Sequence, residues 1–128
     1  MNIALWVLQV LLAAAFLAHG ALLLAPPPEI AAKMLAELPR WFWVFLGVAE
    51  VLAAVGLTLP GLTRVQPWLV GWAAIGIVVV MVSATIWHVV RGEISSALIT
   101  LALLAMATFV AYMRLRILPI SGRRAATV

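Results

Sequence analysis

The sequence predicts an all-α integral membrane protein: one domain over 1–128, built as a four-helix bundle with a short interfacial helix between spans one and two. Three observations predict it. Hydrophobic residues make up 67% of the chain and charged residues 9%, where a soluble domain carries about a quarter charged. The apolar residues fall into four runs, each near the length of about 20 residues that crosses a hydrocarbon core of about 30 Å. Of the eight Lys and Arg and four acidic residues, only Glu50 lies inside a run.

The first span covers about 3–25. A signal peptide is the rival reading, but the basic leader is missing, the run is too long, and Pro26-Pro27-Pro28 stands where cleavage would fall, so the segment is read as retained. Gln9 and His19 are its polar members, while Ala13, Ala14, Ala15, Ala18, Gly20 and Ala21 give it small faces for close packing. The prolines end it, because proline lacks an N–H and clashes with the preceding turn. Glu29, Lys33 and Glu37 then recur every fourth residue, with Ile30, Met34 and Leu38 on the other side. This is the pattern of an amphipathic helix lying in the membrane interface; a solvated loop is the alternative.

The second span, about 41–59, is expected to stop at Pro60-Gly61. Gly47, Glu50 and Ala54 share one face at steps of three and four, so Glu50 should face protein where small residues admit a neighbouring helix. A link carrying Arg64 leads to the third span, about 68–90, with Ala74, Ile77, Met81, Ala84, Thr85 and His88 as inward candidates. Arg91-Gly92-Glu93 makes a tight turn. The fourth span covers about 94–112, and its hydroxyls at Ser95, Ser96, Thr100 and Thr108 are expected to bond back to their own backbone. Residues 113–128 read as a basic tail.

Four spans put both termini on one side. That side holds Arg64 with Arg114, Arg116, Arg123 and Arg124, against Lys33, Arg40 and Arg91 opposite, which predicts cytoplasmic termini. Trp41, Trp43 and Trp87 would lie at the outer interface, and Trp6 and Trp68 at the inner one. The arginine tail reads as an anchor on anionic membrane lipid, not as a nucleic-acid surface. With no cysteine, disulfide and thiolate chemistry are excluded, and a redox role would need a borrowed cofactor.

Glu50 is the first candidate for function. A charge at the centre of a membrane helix costs about 2.5–3.5 kcal/mol on insertion scales, so a retained carboxylate faces inward and acquires a partner or a proton. At 1.5 Å per residue, His19 lies roughly 9 Å below the outer end of span one and Glu50 roughly 13 Å below that of span two. The two meet at nearly one depth, whereas His88 sits shallower. A carboxylate and an imidazole at one level are suited to sharing a proton or holding a polar head group. The candidate catalytic residues are therefore Glu50, His19 and His88. The candidate ligand-binding residues are Glu50, His19, Trp43, Met81 and Thr85. No metal site is expected: two histidines and a glutamate scattered over three helices carry no ligand spacing. Bis-histidine haem ligation is disfavoured by the unequal depths, and no phosphate loop or serine-nucleophile motif occurs.

Taken together, Phe16-Leu17-Ala18-His19-Gly20, Gly47-Val48-Ala49-Glu50 with Gly56-Leu57 and Pro60, and Trp68 through His88-Val89-Val90-Arg91-Gly92-Glu93 resemble the DoxX-like family of small four-helix bacterial membrane proteins. Phe109-Val110-Ala111-Tyr112 with Arg114 close the match. Two positions depart from the family pattern. A lysine common soon after the first-span glycine is Leu23 or Leu24 here, and an early fourth-span asparagine is replaced near Thr100. The resemblance implies Glu50, His88, Arg91 and Glu93 as matching polar positions, with His19 an addition. It also implies the bacterial inner membrane and a quinone-linked or accessory role beside a redox enzyme.

The leading expectation is a membrane protein binding a lipophilic, quinone-like molecule for a membrane redox system. The alternatives are an acid/base enzyme acting on a lipid-like substrate and a structural subunit or homo-oligomer whose polar residues only specify packing. A proton-coupled exporter is a weaker fit, because small four-span exporters carry their membrane glutamate in the first span.

Overall fold

The computed structural model describes residues 1–123. Among them the chain forms five α-helices and no strand: α1 Asn2–Leu24, α2 Pro28–Glu37, α3 Arg40–Thr63, α4 Leu69–Val90 and α5 Ile94–Tyr112. A π-helical turn, Met113–Ile117, continues α5. Four helices are long and apolar enough to span a membrane, the last running Ile94–Ile117. The protein is an all-helical, four-span membrane bundle. Arg124, read above as part of the basic tail, lies outside the described residues.

Helices dominate because a chain in hydrocarbon must satisfy its own backbone groups. α1 packs on α3, α3 on α4 and α4 on α5, and a slighter α1–α5 contact closes the ring. Leu12 and Phe16 of α1, Ala54 and Leu57 of α3, Ala74, Ile77 and Met81 of α4, and Ala107 and Val110 of α5 form the core.

Polar side chains finish the connections. Pro28 opens α2 at a position where a missing N–H costs nothing. Arg40 donates to the carbonyls of Leu23 (3.0 Å) and Leu24 (2.7 Å), satisfying orphan acceptors at the end of α1. The Trp43 indole N–H lies 2.9 Å from the Met34 carbonyl and 3.1 Å from that of Leu38, closing the end of α2. Between α4 and α5, Gly92 N–H donates to Val89 O and Glu93 N–H to His88 O. This Schellman arrangement needs a left-handed residue after the cap, which Gly92 supplies with φ 72°.

Two features depart from the sequence reading. α3 does not stop at Pro60 but runs through it to Thr63, and ends at Arg64 in the left-handed conformation, φ 58°. Proline removes one helical hydrogen bond, but membrane helices tolerate the loss when neighbouring helices hold them. Here Gly61 lies against Trp6 of α1 and Ile120. Arg114 is not a tail anchor. It is 4% exposed and donates to Gln9 Oε1 at 2.6 Å, Asn2 Oδ1 at 2.7 Å and the Leu118 carbonyl at 3.0 Å. Its guanidinium also stacks over Trp6, 5.5 Å from the ring centroid. The π turn and the polar face of α1 draw it inward, and the Asn2 contact joins both ends of the bundle's chain at one end of the molecule.

Candidate functional site

Glu50 lies on α3 and is 3% exposed. Its Oε2 stands 2.6 Å from Nδ1 of His19 on α1. The pair exists because the two helices cross almost backbone to backbone beside it. A Cβ on Gly20 would lie 2.9 Å from the Gly47 carbonyl oxygen and 3.2 Å from Glu50 Cβ; one on Gly47 would lie 3.0 Å from the Gly20 carbonyl oxygen. Glycines at adjoining positions bring the helices close; Glu50, one turn after Gly47 on the same face, and His19, the residue before Gly20, then come within reach of each other. The two partners differ in setting. The His19 side chain is 54% exposed on the flank of the bundle, while the carboxylate is inside.

On its other side, Glu50 borders a cleft of about 280 Å³ between α3 and α4. Ala49, Leu52 and Ala53 flank it on α3; Ala73, Gly76, Ile77 and Val80 face it from α4, and Phe16 of α1 closes the inner end. Glu50 is the one polar side chain in this lining. Chemically, the arrangement offers a single buried hydrogen-bonding group to an apolar occupant, with an imidazole behind it.

The remaining sequence candidates sit elsewhere. His88 Nδ1 pairs with Glu93 Oε2 at 2.6 Å, at the turn that follows α4. Arg91 joins the same carboxylate at 2.8 Å and reaches Glu37 of α2 at 2.6 Å, so the cluster ties α2 to the α4–α5 turn. The Arg91 hydrogen bond, and after it that of His88, holds the Glu93 carboxyl below its ordinary range. Trp43 spends its N–H on α2 and lines a second pocket, about 310 Å³, with Arg40, Met34 and Leu24. Met81 is core. The Thr85 hydroxyl lies 2.7 Å from the Met81 carbonyl and 2.9 Å from Thr100, which itself bonds back to Ala97. Of the residues expected to form one site, the structure therefore brings together Glu50 and His19 and leaves His88, Trp43, Met81 and Thr85 off the cleft lining.

Sequence reasoning missed three things. The Asn2–Gln9–Arg114 cluster was concealed because an arginine after an apolar run resembles an anchor; the signal was Gln9, a polar residue near the same end. The Glu37–Arg91 link depends on tertiary placement. The cleft wall of Ala49, Ala53, Ala73 and Gly76 looks like ordinary small-residue packing until the neighbours are known. Among the described residues no cluster of three His, Cys, Asp or Glu side chains is grouped to hold a metal ion.

No curated protein and no solved structure matches the chain. A model of the DoxX-like family matches residues 7–110, a stretch that includes the His19–Glu50 pair and the whole cleft lining. That match spans well over half of the sequence, and with the four-span fold it identifies the chain as a small integral membrane protein that belongs to the DoxX-like family.

Proposed function

We propose that the protein binds a lipophilic, quinone-like molecule in the α3–α4 cleft and serves a membrane redox system, with Glu50 as the group that touches the ligand. The observation carrying this reading is that the one buried carboxylate of the bundle both lines an apolar cleft and is held by a histidine. Such pockets are mostly apolar with a few converging polar groups. His19 is assigned as the proton partner of Glu50: it does not line the cleft, so it acts on the ligand through the carboxylate. The membrane lipid is the route by which such a ligand arrives, and a redox-enzyme subunit or a second copy of the chain is the expected partner. Orientation with both termini in the cytoplasm of a bacterial inner membrane rests on the excess of Arg64, Arg114, Arg116, Arg123 and Arg124 over Lys33, Arg40 and Arg91. Cysteine labelling at single positions of this cysteine-free chain tests it.

The main test compares organic extracts of mildly solubilised wild type and Glu50→Gln by mass spectrometry and ultraviolet absorption. A specific ligand present in the first and lost in the second is the expected result. Equal, bulk-like lipid in both would refute the reading. The Gly20–Gly47 crossing beside the pair favours a second reading, in which Glu50 and His19 only fix the packing of α1 on α3. In that case Glu50→Gln and His19→Asn lower stability and change no bound ligand.

A further inference from the structure

The proposed site sets the polar end of the ligand at Glu50; the glycines along the same helix pair say what the rest of the ligand must be. We propose that Gly76 is the specificity-determining residue of the cleft, which admits an uncharged lipid-soluble molecule whose slim, unbranched or planar part lies over Gly76 while one hydrogen-bonding group reaches Glu50. This rests on the reading of the cleft as a ligand site.

The α3–α4 interface contains two glycines in different surroundings. A Cβ on Gly56 would lie 2.8 Å from the Ala73 Cβ, so Gly56 is there for close packing. A Cβ on Gly76 would meet nothing within 4 Å. Packing therefore does not account for a residue that weakens a helix relative to alanine. What lies before Gly76 is the cleft it lines. Gly76 is itself exposed, so a side chain at 76 would stand at the open, lipid-facing side of that space, and the alanines opposite keep the walls low.

Charge and size follow from the same geometry. The cleft lies at the middle of α3 and α4, where an unpaired charged group is costly. A ligand carboxylate or phosphate would also face Glu50 across apolar walls. That excludes an anion, and with the Glu50 carboxyl already paired to His19 a cation finds no unpartnered group, so the occupant is neutral: an alcohol, phenol or carbonyl compound. At about 280 Å³ the cleft is just below the usual small-molecule range of about 300–1,000 Å³, room for one ring or one chain segment. Leu52 on its rim is exposed, so the rest of such a molecule extends outward into lipid.

The experiment uses the full chain in lipid nanodiscs with two photoreactive probes of equal length, each carrying a chain diazirine, one ending in an alcohol and the other in a carboxylate. Adducts are mapped by mass spectrometry in wild type, Gly76→Ala, Gly76→Val, Gly76→Leu and Glu50→Gln. The alcohol probe is expected to label the 73–80 stretch selectively. Labelling should fall stepwise with side-chain size, by about tenfold for Gly76→Leu, the change that 1.4 kcal/mol of lost binding produces. The graded series keeps the test independent of whether the leucine variant folds. Selective labelling that drops in Glu50→Gln but ignores side-chain size at 76 overturns this inference and leaves the ligand site standing. Equal labelling by the acid overturns the requirement for a neutral ligand. Labelling spread evenly over all lipid-facing helices, unchanged in every variant, overturns the ligand site itself.

Discussion

Gly47→Ala against Gly76→Ala separates helix packing from cleft formation in a single comparison. At Gly47 the new methyl carbon would stand 3.0 Å from the Gly20 carbonyl oxygen and 2.9 Å from Leu24 Cγ, where ordinary contact begins at 3.4 Å. The leucine can swing aside, but the oxygen is backbone, so α1 and α3 must part by about 0.4 Å at their closest point. Overpacking of this kind costs about 1–3 kcal/mol. At Gly76 the same methyl meets nothing within 4 Å. Both substitutions share the helix-propensity gain of alanine over glycine, about 0.5–1 kcal/mol, so that contribution cancels in the difference. Gly47→Ala should therefore be less stable than Gly76→Ala by about 1–3 kcal/mol. Reversible unfolding in mixed micelles measures this, and the imidazole resonances of His19 report the accompanying strain at Glu50, shifted in the first variant and unchanged in the second. Equal stabilities, within about 0.5 kcal/mol, would refute the backbone crossing of α1 and α3 and with it the account of how Glu50 meets His19.

Arg114→Lys keeps the charge but not the fork that serves Asn2, Gln9 and Leu118 together. With one or more hydrogen bonds to a charged group lost, it should destabilise by about 1.5–3 kcal/mol each, measured by the same unfolding assay; Arg116→Lys should change nothing. The Glu93 carboxyl, depressed by Arg91 and His88, contributes stability that is fully present above its ordinary value of 4.5. That contribution is lost as pH falls through the lower value of the folded state. Amide exchange in α2, corrected for intrinsic rate, should rise on acidification in that window, and Arg91→Gln should raise it at neutral pH by cutting the link to Glu37. Pro60→Ala should leave ligand content unchanged and stabilise α3, because it restores a donor inside a continuous helix; a loss of helicity by circular dichroism would contradict this.

The fold class was legible because hydrocarbon leaves the chain few choices: four long apolar runs must be helices, and short links between them make neighbours antiparallel. What remained hidden was which helix sits beside which. Counting residues down a span gives depth, so the meeting of His19 and Glu50 could be anticipated from their places in two sequence-adjacent spans. Azimuth is harder. Met81 and Thr85 share an inward stripe of α4, yet one packs in the core and the other bonds Thr100 on α5, while the cleft opens along Ala73, Gly76 and Val80. A helix this uniformly apolar carries almost no amphipathic signal to mark its inner face.

Glu50 and Arg114 show why an ionisable residue must be read with its depth and its partners. Glu50 stands out because it interrupts a span, and its carboxyl has His19 Nδ1 at 2.6 Å. Arg114 reads as an anchor because it follows one, yet it is almost as deeply buried. Its acceptors are the neutral oxygens of Asn2, Gln9 and Leu118. Neutral acceptors hold a cation in place but take no proton from it, and arginine stays charged. A carboxyl against an imidazole is different: each is a group that can accept or donate a proton. Near the middle of α3, the Glu50–His19 pair sets a buried carboxyl of this kind against an apolar cleft.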